Sequence, residues 1–136
     1  MKGNAMNKTR VLMTLGCAML LLAGCKSEPK KAACIQPKIE MTANAQTKWN
    51  SLCVTCHGKN GLGDGPAGKN LDPNPRSFAD AEWQKNAKDE EIVAIILKGS
   101  KALGKSDGMP PNPDLEGKQA DLDSLVKKVR SLGTCQ

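Results

Sequence analysis

Cys53, Cys56 and His57 stand in the pattern Cys-x-x-Cys-His, with Val54 and Thr55 between the two thiols. At that spacing a pair of thiols can form thioether bonds to the vinyl groups of one haem while the adjoining imidazole reaches its iron. His57 is the only histidine among 136 residues, so at most one haem c can be attached in this way. The other uses of a Cys-x-x-Cys pair fit less well. A structural zinc site takes about four nitrogen or sulfur ligands, usually from two such pairs. Neither a second pair nor a second histidine is present. A thioredoxin-like dithiol sits among strands rich in Val, Ile and aromatics, whereas this motif has a helix-like stretch before it and Gly and Pro after it.

With the one imidazole used, a soft thioether is the expected ligand on the other face of the iron. Met1, Met6, Met13 and Met19 lie in an N-terminal leader, which leaves Met41 and Met109. Met41 precedes the first predicted helix. Met109 lies in Ser106-Asp107-Gly108-Met109-Pro110-Pro111, where two prolines restrict the backbone and a glycine permits a close approach. Met109 is therefore the expected ligand; the alternative makes it a core residue and leaves the iron five-coordinate or lysine-bound. A neighbouring carbonyl is expected to accept the Nδ1 proton of His57, leaving Nε2 for the metal. The glycine-rich run from Gly58 to Gly68 lacks the preceding strand and the Gly-Lys-Ser/Thr ending of a phosphate cradle. Its glycines are expected to let the backbone pass close to the haem face.

Three predicted helices must position these groups. The first runs from about Thr42, a candidate N-cap, to Cys53 and places Trp49 on the face of Cys53. The second, about Asp89 to Lys98, sets Ile92, Ile95 and Ile96 on one face, opens on three acids and stops at Gly99. The third, about Gln119 to Leu132, carries the stripe Leu122, Leu125, Val126, Val129 and Leu132. Strand-like alternation is absent, so the fold class is all-α with long Gly/Pro loops. With no Tyr, one Phe and two Trp, the core is short of aromatic volume, which a porphyrin would supply.

The N-terminus directs the chain to a compartment. Lys2, Lys8 and Arg10 precede an apolar run, Val11 to Gly24, too short to be read as a spanning helix. The run ends in Leu22-Ala23-Gly24-Cys25, which resembles the lipobox of bacterial lipoproteins, in which the cysteine is acylated. Residues 1–24 thus read as a signal peptide, 25–41 as a lipidated flexible tether with Pro29, Pro37 and several lysines, and 42–136 as the haem domain. An ordinary secretory signal cut elsewhere is the alternative. Cys25 taken by lipid and Cys53 with Cys56 by haem leave Cys34 and Cys135, a candidate disulfide in an oxidising compartment. The formal net charge of +6 falls to +3 once Lys2, Lys8 and Arg10 are removed. That balance and the scarcity of aromatics speak against nucleic acid as a partner. Lys59, Lys69 and Lys105 are candidates for steering an acidic redox protein.

From about Thr42 to Gly133 the chain resembles a class I cytochrome c of the bacterial monohaem type. The matching pieces are Trp49 ahead of Cys53-Val54-Thr55-Cys56-His57-Gly58, then Gly63-Asp64-Gly65-Pro66, Pro75-Arg76-Ser77-Phe78, Asp89-Glu90-Glu91-Ile92, Gly108-Met109-Pro110 and Val129-Arg130-Ser131-Leu132-Gly133. The resemblance implies the small class I cytochrome c fold, with the first helix packed steeply on the last, His57 and Met109 as axial ligands, and electron transfer as function. It departs in the last helix, where the family often has an aromatic and this sequence offers Lys128. Closed axial positions leave no open site for a reactant, so a carrier rather than an enzyme is expected; peroxide reduction or gas binding would require Met109 to leave the iron. The expected partners are a protein donor and acceptor, met by a monomer held by lipid on the periplasmic side of a bacterial membrane. The alternative is a haem subunit of a larger membrane-associated oxidoreductase.

Overall fold

The computed structural model describes residues 37–133. One helical run begins at Thr42, whose hydroxyl accepts from the Ala45 amide at 3.1 Å as an N-cap should. It comprises α1 (Ala43–Lys48), a π-helical turn (Trp49–Cys53) and α2 (Val54–His57). The predicted first helix is therefore four residues longer than its periodicity indicated, because the turn that follows Cys53 continues in helical geometry to the histidine. A long loop with a 3-10 turn at Gly68–Asn70 leads to α3 (Ala81–Asn86), and α4 (Asp89–Lys98) follows directly. Two further 3-10 turns, Lys101–Leu103 and Pro113–Leu115, bring the chain to α5 (Gln119–Leu132). The bounds of α4 and α5 match the prediction. Helix α3 was not predicted: it holds one apolar side chain of size, Trp83, and so has no period to detect, although the Asp80 side chain caps it by accepting from the Trp83 amide at 3.0 Å. Among the described residues there is no strand, and the fold is the all-α class expected.

Helix α5 is the spine of the core. Leu122, Leu125, Val126, Val129 and Leu132 are all buried, and full burial of a side chain such as Leu132 is worth about 1.5–3 kcal/mol. Ile92 and Ile96 of α4 are buried against the same cluster while Ile95 is half-buried. The start of α1 is tied to α5 by polar contacts: the Thr42 amide donates to Ser124 Oγ at 3.2 Å, the Thr42 hydroxyl donates to the buried carboxylate of Asp121, and Asn44 Nδ2 donates to its other oxygen at 2.5 Å. Further along, Lys128 sets its ammonium 5.4 Å from the centroid of the buried Trp49 ring. A cation over a ring face thus stands at Lys128, where the resembling family often has an aromatic, and burial lowers the pKa of that lysine. On the far side, Arg130 reaches from α5 to the α3–α4 junction, donating to the carbonyls of Gln84 at 2.7 Å and Ala87 at 2.6 Å and to Asp89.

Candidate haem site

Along the first helical run, three hydroxyls at a spacing of four donate back to carbonyls one turn earlier: Thr47 to Ala43 at 2.9 Å, Ser51 to Thr47 at 2.8 Å and Thr55 to Ser51 at 3.3 Å. Such bonds compete with the regular ladder and bend helices. Here the run loosens into the π turn, where the Val54 amide reaches the carbonyl of Trp49. π turns inside helices are rare and often fall at functional sites, and this one delivers Cys53 at its end with Cys56 and His57 on the next turn. Both thiols are half-buried. Burial pushes the Cys53 thiol up to about 11, against the opposing pull of Lys48.

A helix ending at His57 leaves its last four carbonyls without helical partners. The glycine-rich loop supplies all four. Gly58 N donates to Val54 O at 2.9 Å, Ala67 N to Thr55 O at 2.9 Å, Gly65 N to Cys56 O at 3.2 Å and Gly63 N to His57 O at 2.9 Å. A Cβ on Gly65 would lie 2.5 Å from Thr55 O, and one on Gly68 would lie 2.1 Å from Cys56 O. These glycines therefore let the loop close on the backbone of the cysteine-bearing helix.

His57 lies flat against Phe78, ring centroids 4.7 Å apart and planes 21° apart. Phe78 in turn stacks on Trp83 at 5.4 Å, and the Arg76 guanidinium sits 5.6 Å over the Trp83 ring. Burial lowers the imidazole pKa to about 4, so the ring is neutral at physiological pH, the form a metal ligand needs. The expected carbonyl partner for Nδ1 is not found: this nitrogen is buried and makes no hydrogen bond. The ring contact that the structure shows for this imidazole is the stack on Phe78.

Met109 is half-buried and packs against the hydrophobic core, as does Cys53. Its loop meets the one that covers α2, since a Cβ on Gly108 would touch Leu71 at 3.3 Å. Ser100, at the end of α4, accepts from the Met109 amide at 3.2 Å. Met41 also packs against the core, and Ile39 and Glu40 line a groove with Val126, Lys127 and Arg130 of α5. Cys25, Cys34 and Cys135 lie outside the described residues. Phe78, Trp83 and Ser100 were not singled out for roles at the site. Phe78 had one usable signal, as the only Phe of the chain within a matched segment; Ser100 had none, because its partners are set by the loop fold.

These residues fit a covalently attached haem: half-buried thiols on consecutive turns, a half-buried neutral imidazole beside them, and the apolar Phe78 ring behind it. Fold and site together define a c-type cytochrome domain, an electron-transfer domain with covalently bound haem c. The family model described as cytochrome C oxidase, cbb3-type, subunit III matches residues 40–127, and the chain belongs to that family. No curated protein matches the chain.

Proposed function

We propose that this protein is a lipid-anchored electron carrier on the periplasmic side of a bacterial membrane, holding a single haem c through Cys53 and Cys56 with His57 and Met109 as axial ligands. The observation that carries the reading is the Cys-x-x-Cys-His turn, locked by four loop amides and backed by the His57–Phe78 stack. When bound, the haem supplies one electron exchanged at iron. Cys53 and Cys56 would hold it covalently to the helical run. His57 offers a neutral nitrogen whose orientation is set by Phe78. Met109, on a loop pinned to the end of α4, would be the second iron ligand and would exclude water and reactants from the metal, which favours electron exchange over substrate chemistry. Cys25, with its leader sequence, supports the membrane anchor.

The purified protein should carry one haem per chain by mass. Its ferric form should show the weak red charge-transfer band of thioether-bound haem, lost in Met109→Ala. Retention of that band in Met109→Ala would overturn the axial assignment. Cys25→Ala should move the protein from the membrane to the soluble fraction. The family description names an oxidase subunit, and this favours a second reading, a haem subunit of a larger membrane oxidoreductase. A stoichiometric partner co-purified in detergent would select it; a monomer selects the free carrier.

A further inference from the structure

Ser100 is buried, 7 % exposed, at the end of α4. A buried hydroxyl needs partners, and all the partners of Ser100 lie in the loop that ends at Met109. Ser100 Oγ accepts from Met109 N at 3.2 Å and donates to the carbonyl of Ser106, while Ser100 N donates to Met109 O at 3.1 Å. Ser100 O accepts from Leu103 N and Lys105 N, both at 3.1 Å. One residue thus grips Met109 by both its amide and its carbonyl and closes the loop between them. The preceding residue allows this approach: Gly99 has φ +75°, and a Cβ there would meet Met109 O at 2.8 Å and Pro111 N at 2.9 Å. Beyond the prolines, Asn112 is anchored to the same helix end, its Nδ2 donating to Ile96 O at 2.9 Å. The segment from Met109 to Asn112 is therefore stretched between two anchors on α4, and the anchor at Met109 itself is the one that depends on a side-chain hydroxyl.

We propose that Ser100 is a positioning residue that holds the Met109 thioether at its place in the haem site and so keeps the sixth iron position closed to outside ligands; this rests on Met109 as the axial ligand. Ser100→Ala leaves the Met109 amide without its acceptor and releases the Ser106 carbonyl, so the loop opens more readily. Imidazole titrated into the ferric holoprotein should bind about tenfold more tightly to Ser100→Ala than to wild type, the equivalent of roughly 1.4 kcal/mol. Ser100→Thr, which keeps the hydroxyl, should bind imidazole as wild type does.

Ser124→Ala removes another buried hydroxyl, one that binds the Thr42 amide far along the chain from Met109; it should lower stability without changing imidazole affinity. Met109→Ala, measured alongside, separates the two layers of the argument. If it leaves the red band and imidazole affinity unchanged, the axial assignment fails and the proposal with it. If it abolishes the band while Ser100→Ala binds imidazole no better than wild type or Ser124→Ala, the role of Ser100 alone is overturned. Hydrogen exchange in wild type gives an independent check: the Met109 amide should be protected relative to that of Asp107, and equal exchange would also overturn the proposal.

Discussion

Gly65→Ala tests whether the loop after His57 is built to seat on helix backbone. Gly65 is not among the glycines with positive φ, so alanine meets no conformational penalty there. In open space the change would stabilise by about 0.4–1 kcal/mol through the unfolded chain. Here the new Cβ would lie 2.5 Å from Thr55 O, 2.6 Å from Val54 O and 2.7 Å from Cys56 C. Those atoms belong to the helical run that carries the cysteines and cannot rotate aside as a flexible side chain would. The loop must lift by close to 1 Å to restore ordinary contact. That displacement takes the Gly65–Cys56 bond, already 3.2 Å, out of range and strains the Ala67–Thr55 bond at 2.9 Å. Two bonds at about 0.5–1.5 kcal/mol each, less the unfolded-state gain of about 0.4–1 kcal/mol, leave a net loss centred a little above 1 kcal/mol and reaching about 2.5 kcal/mol. For a domain of this size that is a fall in Tm of about 5–15 °C. Thermal unfolding of the haem-loaded protein, followed by far-ultraviolet circular dichroism and haem absorbance together, reads it directly. A Tm equal to or above wild type would refute the packing argument.

Arg130→Ala should cost about 2–3 kcal/mol in thermal or denaturant unfolding, because the half-buried guanidinium satisfies the carbonyls of Gln84 and Ala87. Asp89→Asn, at the exposed end of the same network, should cost less than about 1 kcal/mol, since a solvated ion pair contributes little. The Thr42 hydroxyl and then the Asn44 amide hold the Asp121 carboxyl below its ordinary value of 3.8. Its contribution to stability is therefore full above that value and lost as pH falls through the lower folded one. The Tm advantage of wild type over Asp121→Asn should shrink as pH is lowered below about 4, and an advantage that stays constant into acid would remove Asp121 as the cause.

Contacts of short range in the chain were legible. The Cys-x-x-Cys-His spacing is a covalent constraint, so it needs no fold to be read, and the capping of Thr42 and the apolar stripes of α4 and α5 are likewise local. Helix α3 was not legible, because six residues with one large apolar side chain present no period. Trp49 shows how far local reading reaches: its burial followed from its helical face, but the partner over its ring is Lys128, brought by a helix that sequence spacing cannot orient.

By itself the sequence determined the class of chemistry, covalently bound haem c, and which helical faces turn inward, since both depend on separations of a few residues. Only the tertiary structure decided what those groups rest against. The glycine loop on the carbonyls of α2, the Phe78 ring under His57 and the Ser100 hydroxyl at Met109 all join segments through packing and hydrogen bonds. Their geometry exists only after the chain has closed.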